Sequence, residues 1–194
     1  MRRHTIAVGI GIALISAACA GRQFVRPRSE TLVLGTTTRA EVTKQLGQPA
    51  GQFDVVRNGR TLTGIGYRYI TMFGRPNVYP ERVMRFFFLD DVLVGYDYSS
   101  SYVEDKTDFE EDHVYRMKKG ETTRAQVIDL LGQPGGMYIY PMISSTNDTA
   151  LVYRYYRKKH EPFKGLRILD KVLVISIDGR DVISGVDHVP GAAQ

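Results

Sequence analysis

The chain of 194 residues has a single cysteine, no tryptophan and only four histidines, at positions 4, 113, 160 and 188. One thiol excludes an intrachain disulfide and any cysteine-based zinc site. The histidines are scattered without metal-ligand spacing, so His113, His160 and His188 point to no metal. A Gly-x-Ser-x-Gly nucleophile elbow is missing, since Ser184 lacks the preceding glycine. Phosphate loops and dinucleotide fingerprints are missing too; Gly64-Ile65-Gly66 stands alone. With no catalytic constellation, neither an enzyme nor a cofactor is expected. Charge of one sign is also scarce. Lys+Arg 26 against Asp+Glu 21 gives +5, which is too weak to indicate nucleic acid. What is present is ordinary for a globular chain: 43% apolar and 24% charged residues, which excludes both general disorder and a polytopic membrane protein.

The N-terminus, MRRHTIAVGIGIALISAACAG, has the layout of a secretory signal peptide. Arg2 and Arg3 are its basic region, and Ile6 to Ile15 its apolar stretch, which is shorter than the roughly 20 residues of a spanning helix. Ser16-Ala17-Ala18-Cys19 resembles the bacterial lipobox, with Ser16 in place of the usual large aliphatic residue. That resemblance implies cleavage after residue 18 and lipidation of Cys19. Acyl chains there exceed the two-signal threshold for stable anchoring. Ala20, where an acid resembles an inner-membrane retention signal, implies the outer membrane. Loss of residues 1–18 removes two arginines and no acid, leaving 24 basic against 21 acidic residues, about +3. Residues 19–29, with Arg22, Arg26, Pro27 and Arg28, read as a lipidated N-terminus and short basic tether.

The rest is organised by an internal repeat. GTTTRAEVTKQLGQP at 35–49 and GETTRAQVIDLLGQP at 120–134 share 10 of 15 positions. Tyr67-Arg68-Tyr69 matches Tyr153-Arg154-Tyr155. The expected organisation is repeat 1 at 30–102, an acidic linker at 103–111 and repeat 2 at 112–190. Each copy opens on a capping box, Thr38 with Glu41 and Thr123 with Gln126. Val42 and Leu46, like Val127 and Leu131, lie four apart on one helix face. Gly47 and Gly132 end the helices, and Pro49 and Pro134 forbid their resumption. Alternating runs at 53–57, 61–71, 82–89, 92–99, 136–143, 149–158, 171–177 and 181–188 predict strands. Asn58-Gly59, Asp90-Asp91 and Asp178-Gly179-Arg180 are turn signals. The predicted class is α+β: two tandem repeats, each a short helix or helix pair packed on three to four antiparallel strands.

The doubled Gly-x-Thr-Thr-x-Ala-x-Val-x-x-x-Leu-Gly-Gln-Pro resembles the SmpA/OmlA domain, the BamE-like family of small outer-membrane lipoproteins. Thr38 and Thr123, Val42 and Val127, and the two Leu-Gly-Gln-Pro endings carry the likeness. One extra residue before each capping Thr departs from the family. The tandem arrangement is similar to the fold of the β-lactamase inhibitor protein, two such units in one concave sheet. The resemblance implies a non-catalytic, periplasm-facing outer-membrane lipoprotein acting as an envelope structural or assembly accessory. Its implied partners are the membrane, through the lipid on Cys19, and an envelope protein such as the β-barrel assembly machinery. The alternative is a periplasmic inhibitor or binding protein that clamps a target on a concave sheet.

Fold likeness does not place a binding surface. Candidate partner-binding residues are Tyr67, Tyr69, Tyr153 and Tyr155 with their neighbours Arg68 and Arg154. On the sheet, each tyrosine pair shares one face and the arginines take the other. If that face is open, the tyrosines form a recognition surface; if it meets the helices, they are core. Arg157, Lys158 and Lys159 form a basic loop tip that suits an anionic lipid or acidic surface, or simply discourages edge pairing. The acids from Asp105 to Asp112 lack the glycine turn of a calcium loop and read as a solvated linker.

Overall fold

The structure, a computed structural model, describes residues 23–71, 79–161, 163 and 165–191. The signal segment and Cys19 lie outside the described residues. Eight strands follow one another in space as in sequence, all antiparallel, in a single sheet. They are β1 (Gly51–Arg57), β2 (Arg60–Ile70), β3 (Glu81–Leu89), β4 (Val92–Ser100), β5 (Gly136–Tyr138), β6 (Thr149–Glu161), β7 (Gly165–Ile177) and β8 (Ile183–Val189). Two helices of 8 residues each, α1 (Arg39–Leu46) and α2 (Arg124–Leu131), lie on one face. Among the described residues no helix is long and apolar enough to cross a membrane.

This overturns the α+β expectation of two helix-on-sheet repeats. The fold is mostly β, and its hydrogen bonding is continuous. The reason is β5: Tyr138 pairs with Gly95 on one side and Ala150 on the other. Gly136 makes that close approach possible, since a Cβ there would meet the Tyr96 carbonyl oxygen at 2.0 Å. The alternating run read as a strand over 136–143 breaks after Tyr138, and residues 139–148 instead fold back across the sheet.

The helices form where the capping chemistry predicts. Thr38 Oγ1 accepts from Glu41 N (3.3 Å) while Glu41 Oε2 accepts from Thr38 N (2.7 Å). Thr123 and Gln126 repeat the exchange at 3.3 and 2.9 Å. Each helix is only about two turns, too short to persist alone. Both are fastened at the two ends. Thr38 bridges to Val92, and Thr123 to Val182. Beyond the last turns, Gly47 and Gly132 take φ of 82° and 80°, and their carbonyls accept the Tyr67 and Tyr153 hydroxyls, each at 2.9 Å.

The helix face holds two apolar clusters. Around α1 are Val42, Ile65, Tyr67, Met84, Phe86 and Tyr98. Around α2 are Val127, Leu151, Tyr153, Leu173 and Ile175. Between the helices runs the described part of the N-terminal segment. Phe24 packs against the Tyr67 and Tyr98 rings at 6.1 and 6.5 Å, and Pro27 is buried. Arg26 lies over Tyr98 and donates to the Pro134 and Gly135 carbonyls at 3.0 and 3.2 Å.

The acidic linker is solvated only in part: Glu104, Asp108, Glu110 and Asp112 are exposed, while several of its acids are also held by the sheet. Asp105 accepts from Arg82 Nε (2.6 Å), Tyr98 (2.7 Å) and Ser100 (2.6 Å). Asp108 pairs with Lys171, which is buried and also donates to the Phe109 carbonyl at 2.7 Å. Glu111 accepts from the Gly191 amide at 2.8 Å and faces His188. Half-buried Arg82 and buried Lys171 on the sheet thus hold the run against the helix face.

Candidate functional site

Strand alternation sends every second side chain to the face away from the helices. The segment 139–148 covers part of that open face. Met142 and Ile143 pack there with Leu62, Phe87, Val94 and Val152, and the Pro141 carbonyl accepts from Asn58 at the β1–β2 turn (2.8 Å). Beside this cover is a cavity of about 330 Å³. Phe53, Val55 and Arg57 of β1 wall one side; Val172, Val174 and Asp187 of β7 and β8 wall the other. Side chains from both ends of the strand order line one cavity, so the sheet is concave here. Two glycines open the space. A Cβ at Gly64 would strike the Phe53 ring at 2.3 Å, and one at Gly95 would strike Tyr138 at 2.6 Å.

The open face carries a row of arginine–carboxylate pairs. Arg68 donates to Glu81 at 2.8 Å. Arg85 reaches Asp97 through Nε and Nη2, at 2.9 and 2.8 Å to Oδ1 and 2.9 Å from Nη2 to Oδ2. Arg154 donates to Asp170 at 2.9 Å. Arg85, Arg154 and Tyr138 line the cavity itself. Asp97 is 1% exposed and also accepts from the Tyr138 hydroxyl at 2.5 Å. Burial, then the Asp97 charge, holds the Tyr138 phenol well above its usual range. Burial works against the Arg85 charge, yet Asp97 and Tyr138 outweigh it, so the guanidinium is more firmly protonated than usual. The buried oxygen Asp170 Oδ1 has no hydrogen-bond partner among the described residues.

The arrangement is suited to binding. Guanidinium donors and a carboxylate acceptor are fixed among aromatic walls, the composition that favours protein interfaces. Buried pairs of this kind add little to stability but fix one geometry.

The sequence-predicted residues separate by face. Tyr67, Tyr153 and Tyr155 are buried on the helix side. Of the two alternatives, recognition surface or core, these three take the core: two of the hydroxyls end on helix-terminal carbonyls, and Tyr155 lies against Lys171. Tyr69 is half-buried and stacks on Tyr102 at 6.3 Å. Arg68 and Arg154 do reach the open face, already paired. Arg157 is exposed and Lys158 half-buried, while Lys159 is placed by its backbone alone, opposite Arg167 in β7. They lie within a long hairpin rather than at its turn. Sequence reasoning missed Arg85 and Asp97. The signal was available: Arg85 interrupts the apolar run of β3, and Asp97 sits between two tyrosines, positions where an unpaired charge is costly.

No family model matches the chain, and no curated protein matches it. The SmpA/OmlA resemblance therefore rests on its motif residues alone. Among solved structures, a "putative beta-lactamase inhibitor protein" from Streptococcus mutans aligns over 79% of this chain and 82% of its own, at 11% identity and a TM-score of 0.39. A likeness that weak supports no conclusion about this chain.

Proposed function

We propose that this protein is a non-catalytic binding module of the bacterial envelope. It is anchored by lipid on Cys19 and seats a partner protein on the concave open face of its sheet. The observation that carries the reading is the cavity of about 330 Å³, with Arg85, Arg154 and Tyr138 set among Phe53, Phe87 and Met142. Pre-positioned guanidinium groups inside an aromatic hollow suit an inserted side chain that is apolar in body and polar at its tip. The lipobox supports the anchor, and the Leu-Gly-Gln-Pro motifs support a role as an assembly accessory in the outer membrane, with a β-barrel assembly component as the partner.

Photocrosslinking in cells tests the docking face. A photoreactive residue at position 53 or 57 is expected to trap a partner, while one at Lys44 on α1 or Glu121 before α2 traps none. Adducts from the helix side alone would refute the assignment. Absence of acyl chains from Cys19, read from the intact mass, would remove the anchor while leaving the docking face to stand or fall by crosslinking.

A further inference from the structure

β6 and β7, at 13 residues each, are the longest strands in the sheet. Tyr138 lies opposite both Gly95 and Ala150, so β6 numbering runs 55 ahead of β4 across the sheet. The last residue of β4, Ser100, is therefore level with Tyr155, and Glu161 lies six residues further out. On the other side, β8 last pairs at Val172, opposite Arg154. The distal β6–β7 hairpin thus projects past both neighbours as a two-stranded arm, roughly 20 Å long at the rise of extended chain.

Its surface is unlike the rest of the molecule. Phe163, at the turn, is 107% exposed, and Leu166 is 50% exposed. Set back along the arm are Arg157, Lys158 and Arg167; Arg157 is exposed, and Lys158 lies over the Tyr156 ring at 5.3 Å. A bare aromatic tip with cations along the arm behind it complements an anionic lipid surface.

Topology decides where this tip points. Followed backwards from Gly35, which is bonded to Leu93 at the start of β4, the N-terminal segment runs alongside β4 to Tyr98 near its end. It leaves the domain beside Tyr67 near the end of β2. β2, β4 and β6 run in the same direction in this antiparallel order. The chain therefore exits toward Cys19 at the end of the sheet from which the arm projects. Four residues from Gln23 to Cys19 reach at most ~14 Å, less than the arm's length, so the arm's tip extends as far as the anchor. The geometry points to the β6–β7 arm as a second membrane contact, one that lays Phe163 and its cations on the anionic bilayer holding the lipidated N-terminus. This rests on the lipid-anchor reading for placement, and it turns the concave face sideways to the membrane, open to a partner.

The test uses the mature lipoprotein in vesicles of phosphatidylcholine alone or mixed with phosphatidylserine. Leu166→Cys, or Arg180→Cys at the opposite end, carries an environment-sensitive dye, with spin-labelled lipid as quencher. Strong quenching at 166 in the anionic vesicles, weak quenching there in the neutral ones, and none at 180 is the expected result. Arg157→Glu with Arg167→Glu is expected to abolish the difference and to lower partition of delipidated protein about twentyfold or more, at roughly fivefold per cation. Equal quenching at 166 and 180 on anchored protein would overturn the inference, as would capture of the arm by a soluble acidic protein with no lipid contact. The intact mass of each sample reports acylation separately, so an unlipidated Cys19 is distinguished from an arm that ignores the bilayer.

Discussion

At the scale of single residues, the charged pairs inside the open face make the sharpest demands. Asp97 is 1% exposed and holds both Arg85 and Tyr138. Asp97→Ala leaves a guanidinium uncompensated in a half-buried site and is expected to cost about 3–5 kcal/mol in urea denaturation. Arg85→Met with Asp97→Leu is expected to recover most of that loss, because the cost lies in the orphaned charge. A double variant as unstable as the single one would show that the pair itself stabilises the fold. The tyrosines give an alkaline signature. Burial, with the bond to Asp105 behind it, pushes the Tyr98 phenol from 10.0 up to about 12; burial alone raises Tyr153 further. A raised acid contributes stability that is complete below pH 10 and is lost as pH climbs through the folded value. Tyrosinate absorbance, unobscured in a chain without tryptophan, is therefore expected to rise together with unfolding as pH passes from about 10 to 12.

At the scale of elements, the helices were fully legible in the sequence and the strands only in part. Capping is local chemistry, written in Thr38 with Glu41 and Thr123 with Gln126, so α1 and α2 begin where those residues predict. Thr38→Ala or Thr123→Ala is expected to cost about 1 kcal/mol in the same denaturation assay. The arm was not legible, because Arg157 to His160 reads as a charged turn while the actual reversal comes later, around Phe163. Nor was the docking of the acidic linker, since its partners Arg82 and Lys171 are distant in sequence. That docking is acid-sensitive. Burial raises the Asp105 pKa, but hydrogen bonds from Arg82, Ser100 and Tyr98 outweigh it and hold the group below its ordinary 3.8. A depressed carboxyl contributes stability above its unfolded pKa, lost as pH falls through the folded value. Thermal stability is thus expected to drop below pH of about 4, and Asp105→Asn to flatten that drop while lowering stability at neutral pH.

At the scale of the whole molecule, three residues of β5 make one sheet from what the repeat suggested were two units. The two similar helix segments were visible as identical letters; the joint was not, because Gly136-Met137-Tyr138 is too short to carry a pattern of its own. A continuous sheet gives the protein a concave face wider than either half could supply, and the N-terminal segment clasps the helix side through Arg26. Arg26→Ala removes two hydrogen bonds between the segment and the loop after α2, and is expected to raise amide exchange at Gly135 and Gly136. On the proposed reading the face, not the helices, receives the partner. The most direct measurement is the affinity of the crosslinked partner for two variants of equal stability, Phe53→Asp in the cavity wall and Lys44→Glu on α1. The account predicts that Phe53→Asp weakens binding by about tenfold or more, the loss of one good anchor contact, with Lys44→Glu unchanged. Loss of binding by Lys44→Glu with Phe53→Asp unaffected would contradict it.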